Sequence, residues 1–246
     1  MLEGLYSAAA GMAAQQQRID GVSNDLANAS TTGYKHVRVG FRDLLYSAQG
    51  GSAGPTVLAG AGSAAGFIGR SQGQGALQTT DQPLDVAIQG PGFLQVKRPD
   101  GSLALTRDGS LRLDADGRLT TKDGLVLQPP ITVPRGTSAD RLSIAGDGTV
   151  RVGAQRPLGR IELVTVRAPD GLQSLGGNLL AANAASGTPI TAGTDTTLRQ
   201  GALEGSNVDV GDAMVDMIDA QRSFQLASKA IQMQDQMLEI ANQVKR

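Results

Sequence analysis

Arg112, Asp114, Asp116, Gly117 and Asp123 fall at positions 1, 3, 5, 6 and 12 of a calcium-loop pattern. Position 1 needs a carboxylate and holds an arginine, and the flanking residues read as strands rather than helices, so the pattern is a hairpin turn. Gly60-Ala61-Gly62 with Gly66 has a phosphate-loop flavour, but no helix follows it, and a flexible arm explains it better than a nucleotide site. Asp81 and Asp85 flank Pro83-Leu84 as a formal acid/base pair; with no pocket to place them in, turn and strand-edge roles are the stronger reading. His36 is the single histidine and has no second His or Cys with which to share a metal. There is no G-x-S-x-G elbow. The expectation is no catalytic residue, no cofactor and no metal.

Composition narrows the partners. The chain has 22 basic and 23 acidic side chains, a formal net charge of -1, 3% aromatic content and no Trp. Such a chain has neither the field nor the stacking platforms to hold nucleic acid, and few anchors for a small-molecule substrate. Cysteine is absent, so no disulfide or thiolate zinc site forms. Ser7–Ala14 is small and apolar, but the only early charge is Glu3, so no cleaved signal peptide is expected.

The elements that must carry any function are therefore structural. Leu2, Leu5, Ala9, Met12, Ile19 and Leu26 recur at spacings that put them on one helical stripe, with Gln16 and Ser23 completing it. Met214, Met217, Phe224, Ile231 and Leu238 do the same near the other end, with Gln221, Ser228 and Asp235 between. A seven-residue repeat of this kind favours coiled-coil packing, either between copies or within one chain; the narrow stripes and small residues favour several neighbours. The first helix reads as 2–29 with Gly33 as its left-handed cap, and the second as Val210–Val244, capped by Asn207 or Asp209. Lys245 and Arg246 would complement its C-terminal dipole.

Between the helices the pattern changes. Six Asp-Gly pairs, at 100, 108, 116, 123, 147 and 170, punctuate short apolar runs, the first four every seven or eight residues. Asp-Gly supplies the positive φ of tight hairpins, so an all-β meander, a sandwich or irregular barrel, is expected. The fold class is thus α+β: terminal helices forming a coiled coil, with an all-β middle domain inserted. The expected domains are residues 1–33 (N-terminal helix), 34–80 (extended Gly/Ala-rich arm), 81–205 (β domain) and 206–246 (C-terminal helix).

Asn24, Leu26, Ala27 and Asn28, followed by Thr31, Gly33, Tyr34 and Lys35, spell N-x-L-A-N leading to T-x-G-[FY]-[KR]. Gln82–Phe93, Thr106-Arg107-Asp108-Gly109 and Leu203-Glu204-Gly205-Ser206-Asn207-Val208 follow in order. With these motifs the whole chain resembles the flagellar rod and hook family of bacterial axial proteins. Length and the Asp43-Leu44-Leu45-Tyr46 tail are nearest the distal-rod branch, while the short Gly/Ala-rich 47–76 segment keeps the proximal-rod branch open; hook proteins are usually longer.

The resemblance implies a non-enzymatic rod subunit in the flagellar basal body, exported through the type III channel without a cleaved signal and placed in the periplasm. It implies self-association in a helical tube through Leu2, Leu5, Met12, Ile19, Leu26, Met214, Met217, Phe224, Ile231 and Leu238. It further implies other rod proteins, hook protein, peptidoglycan and outer-membrane ring proteins and the export apparatus as partners. A secreted β-domain adhesion module oligomerised by its helices is the reading of a different class.

Overall fold

The computed structural model describes residues 2–49, 57–153, 157–193 and 195–244, and the chain divides into two compact units. The helical unit comprises residues up to 27, 37–68 and 209 onwards; the β unit comprises 28–36 and 69–208. No helix among the described residues is long and apolar enough to cross a membrane.

In the helical unit, α1 (Leu2–Ala27) and α2 (Val210–Val244) run antiparallel. Arg18 Nη2 meets Asp216 Oδ1 at 2.7 Å. At the other end of the pair, Gly4 lies so close to the Gln234 side chain that a Cβ would stand 2.6 Å from its Nε2. Asp209 begins α2 as expected, its Oδ1 accepting the N–H of Gly211 at 2.8 Å and of Asp212 at 3.2 Å. Lys245 and Arg246 lie outside the described residues. The segment read as an arm forms a ribbon, in which Val37–Asp43 pairs with Ser63–Arg70 and Tyr46–Gln49 with Val57–Gly60. It lies along α1: a Cβ on Gly21 would meet Val39 at 3.0 Å and Phe67 at 3.5 Å.

α1 ends earlier than its pattern suggested. After Ala27 the chain turns, because Asn28 accepts twice from Thr31, at its carbonyl from the N–H (3.0 Å) and at its side chain from Oγ1 (3.1 Å). Gly33 does take the left-handed backbone, φ +68°, but beyond this turn rather than as the helix cap.

In the β unit the meander is antiparallel, and seven strands form a continuous path. Its order is Gln173–Gly176, Leu179–Ala181, Leu103–Thr106, Phe93–Lys97, Val126–Gln128, Leu119–Thr121 and Leu111–Leu113. Leu163–Thr165 also pairs with Phe93–Lys97, and Ile190–Thr191 with Leu163–Thr165. A three-stranded sheet, Leu142–Ile144, Thr149–Val152 and Pro157–Arg160, buries Leu142, Ile144 and Val150 in one core with Leu94, Val96, Leu119 and Leu127. Period-2 alternation sends Phe93 and Leu105 to the other face, where they pack with Val164, Val166 and Leu180.

The Asp-Gly turns behave as their chemistry dictates. At Asp147-Gly148 the glycine has φ +85°, and the Asp147 carboxylate accepts from Thr149 N–H (3.0 Å) and Oγ1 (2.8 Å). Those bonds, the backbone one foremost, hold its carboxyl below the usual range. The calcium-like stretch is a hairpin, with Leu111–Leu113 paired to Leu119–Thr121. Arg118 Nη2 lies 3.0 Å from Asp114 and 3.1 Å from Asp116.

Candidate functional site

Two places merit the term, one in each unit. The first gathers three of the sequence motifs. Two short sheets build it: Val86–Gln89 with Thr197–Gln200, and Leu77–Thr79 with Ala202–Glu204. The second of these delivers Glu204, whose side chain is fully buried.

Lys35 Nζ donates to Glu204 Oε1 at 2.5 Å and to the Gly73 carbonyl at 2.6 Å. Arg107 Nη1 donates to both Glu204 oxygens at 3.0 Å. The rest of its guanidinium is also used, Nε on Gly92 O at 3.0 Å and Nη2 on Gly90 O at 2.6 Å. Gly75 N–H completes the carboxylate at 2.9 Å. The guanidinium carbon stands 5.5 Å from the Phe93 ring centroid, a cation–π contact. Burial pushes the Lys35 ammonium below its ordinary value of 10.5, while the hydrogen bond from Lys35 to Glu204 acts the other way.

Around this triad the backbone of the N-terminal motif is pinned. Gly33 N–H donates to Glu204 O at 2.8 Å, and a Cβ at Gly33 would stand 2.8 Å from the Arg107 carbonyl carbon. Thr32 Oγ1 donates to Asp108 at 3.1 Å, and Tyr34, 3% exposed, lies under Arg70 at 5.0 Å. Asn207 closes the C-terminal side: its Oδ1 accepts from His36 N–H at 2.8 Å and its Nδ2 donates to Gly73 O at 3.0 Å. His36 is thus held through its backbone. Asp85 accepts from Thr80 Oγ1 at 2.6 Å within a turn. The arrangement is a structural junction: its charged groups are buried and mutually satisfied, with none presented to a substrate.

The second place is the helix surface. Met217, Phe224, Ile231 and Leu238 are half-buried, alternating with Ala213, Ala220, Ala227 and Gln234 at four- and three-residue spacing. Leu5, Met12, Ile19 and Leu26 of α1 are half-buried too, and Ala14 and Val22 are buried. The Leu2 side chain falls outside the described ones. Met214 stands apart, 53% exposed.

A second apolar stripe of α2 escaped the sequence reading. Leu226, Met233, Met237 and Ile240 are 68, 58, 56 and 60% exposed, and with Ala230 they keep the same four-three spacing. Its signal was present, but polar neighbours such as Gln232 and Gln236 interleave with it.

Comparison with known proteins identifies the family. Family models described as "Flagella basal body rod protein", "Flagellar hook protein FlgE/F/G D1 domain" and "Flagellar basal body rod FlgEFG protein C-terminal" match residues 5–35, 87–152 and 199–244. The chain is 39% identical over 264 residues to a Borreliella burgdorferi protein named flagellar basal-body rod protein FlgG, covering 100% of both chains. It is 37% identical to proteins of that name from Caulobacter vibrioides, over 99% of this chain and 100% of the relative, and from Bacillus subtilis, over 100% of both. Rod proteins are structural rather than enzymatic. This chain belongs to the family of flagellar basal-body rod and hook proteins, and these full-length relatives within it carry the FlgG name.

Proposed function

We propose that the chain is a structural subunit of the flagellar rod that polymerises helically through α1 and α2 into a drive shaft carrying motor torque to the hook, at its distal part. The observation that carries this is the exposed Leu226–Met233–Met237–Ile240 stripe on a member of a rod family. One chain leaves that stripe in water, and a neighbouring helix of the same kind would bury it as a coiled-coil seam. Interfaces that repeat head to tail without closing generate a tube rather than a ring.

In this reading residues 1–33 and 206–246 form the inner layer, 34–80 bridges neighbours, and 81–205 lies outside. Leu5, Met12, Ile19, Leu26, Met217, Phe224, Ile231 and Leu238 contribute to the helix seams, and Leu2 and Met214 extend them. Assembly is with other rod and hook components. Export through the flagellar channel without a cleaved signal, a periplasmic position and contact with the peptidoglycan and outer-membrane rings complete the proposal. Family membership disfavours the adhesion module.

Deletion of the gene and electron microscopy of purified basal bodies test it. A rod that stops short, without a hook, is expected, and the stopping point separates distal from proximal. Intact rods with hooks would refute the assignment.

A further inference from the structure

The Lys35–Glu204–Arg107 junction carries a consequence for the order in which the chain folds. Two cations share one buried site, and the carboxylate they share lies 169 residues from Lys35 and 97 from Arg107. When the connector 28–36 docks, it brings the Lys35 ammonium into the site already holding the Arg107 guanidinium. Without Glu204 this juxtaposes two desolvated like charges, which is strongly unfavourable. With Glu204, both are bridged by one carboxylate that also accepts Gly75 N–H.

We infer that Glu204 makes docking of the N-terminal connector conditional on arrival of the strand Ala202–Glu204. The C-terminal strand and the N-terminal motif therefore become ordered together, although the chain delivers them at opposite ends. In any process that releases the N-terminus first, the connector stays undocked until the last strand before α2 is free to pair with Leu77–Thr79. The inference concerns the β unit alone and does not depend on the chain polymerising.

Hydrogen exchange on the full chain in solution tests it. Two amides report on the connector: Gly33 N–H, which donates to Glu204 O, and Asn207 N–H, which donates to Tyr34 O. Both acceptors are backbone carbonyls, so side-chain substitutions leave them in place. Glu204→Gln keeps the shape and removes the charge; exchange at both amides should quicken on the order of a hundredfold. Lys35→Met in the same chain removes the repulsion, so the double variant Lys35→Met/Glu204→Gln should recover most of the protection.

A purely packing role predicts the opposite, since a second lesion at one site would add to the first. Exchange in the double variant as fast as in Glu204→Gln, or faster, overturns the inference, as does an unchanged rate in Glu204→Gln itself. Should Glu204→Gln fail to fold, recovery of folding in the double variant supports the inference and its absence overturns it.

Discussion

The two units treat their apolar side chains differently. In the β unit Ile88, Leu94, Leu105, Leu119 and Leu127 are almost wholly buried, and its buried charges are partnered within the unit. In the helical unit α2 leaves Met214, Val215, Ile218, Leu226, Met233, Met237 and Ile240 exposed, and the ribbon leaves Phe41, Leu45 and Phe67 exposed. A two-stranded ribbon is marginal by itself, and so much exposed apolar surface is unusual for an isolated chain. The contrast teaches a division of labour: the β unit buries most of its large apolar side chains within one chain, Leu103, Leu175 and Ile190 excepted, whereas the helical unit presents an apolar surface that the proposed assembly would cover.

Substitutions can sharpen or break this contrast. Phe93→Ala removes a ring 2% exposed from the second core cluster and should cost the β unit about 3–5 kcal/mol, read by urea unfolding. Gly109→Ala comes next. A Cβ there would stand 1.6 Å from the Val86 carbonyl oxygen, so the backbone must shift, at about 1–3 kcal/mol in the same assay. A Gly109→Ala chain as stable as the parent would mean that the turn gives way freely and that the β unit is looser than described.

The Lys35 ammonium gives a pH test of the junction. Its folded-state pKa lies below the ordinary 10.5, chiefly through burial. Between those two values the unfolded chain keeps a proton that the folded chain has released. Stability from this site should therefore rise with pH and level off near 10.5. The unfolding free energy of the parent minus that of Lys35→Met should climb over that window; a flat or falling difference would contradict the buried placement.

Arg18→Ala should matter least. Its pair with Asp216 is 29% and 54% exposed on the two side chains, so loss below about 1 kcal/mol is expected from thermal melts. A larger loss would show the α1–α2 contact to be more self-sufficient than the contrast allows.

Much of this was legible in the sequence for local reasons. The bounds of α2 followed from its Asp209 cap and its sustained seven-residue apolar pattern, and the antiparallel meander from the Asp-Gly turns beside strands such as Leu119–Thr121, Val126–Gln128 and Leu142–Ile144. Strands without Asp-Gly punctuation, such as Thr197–Gln200 and Ala202–Glu204, gave no such signal. Ser63–Arg70 was hidden by its Gly and Ala content, which weakens alternation. On α2 the column that accompanies Met217, Phe224 and Ile231 is Ala213, Ala220 and Ala227, too small to stand out beside Met214. The junction was visible only as motifs, because nothing local reveals that Lys35 and Glu204 will share a site.

The most direct measurement restores the gene-deleted strain with a chain bearing Met233→Asp and Ile240→Asp, and images its basal bodies by electron microscopy. Both side chains are exposed in the single chain, so the purified variant should melt as the parent does. The account predicts truncated rods without hooks despite that unchanged stability. Full-length rods bearing hooks would contradict the claim that the helical unit is the surface through which the subunits assemble.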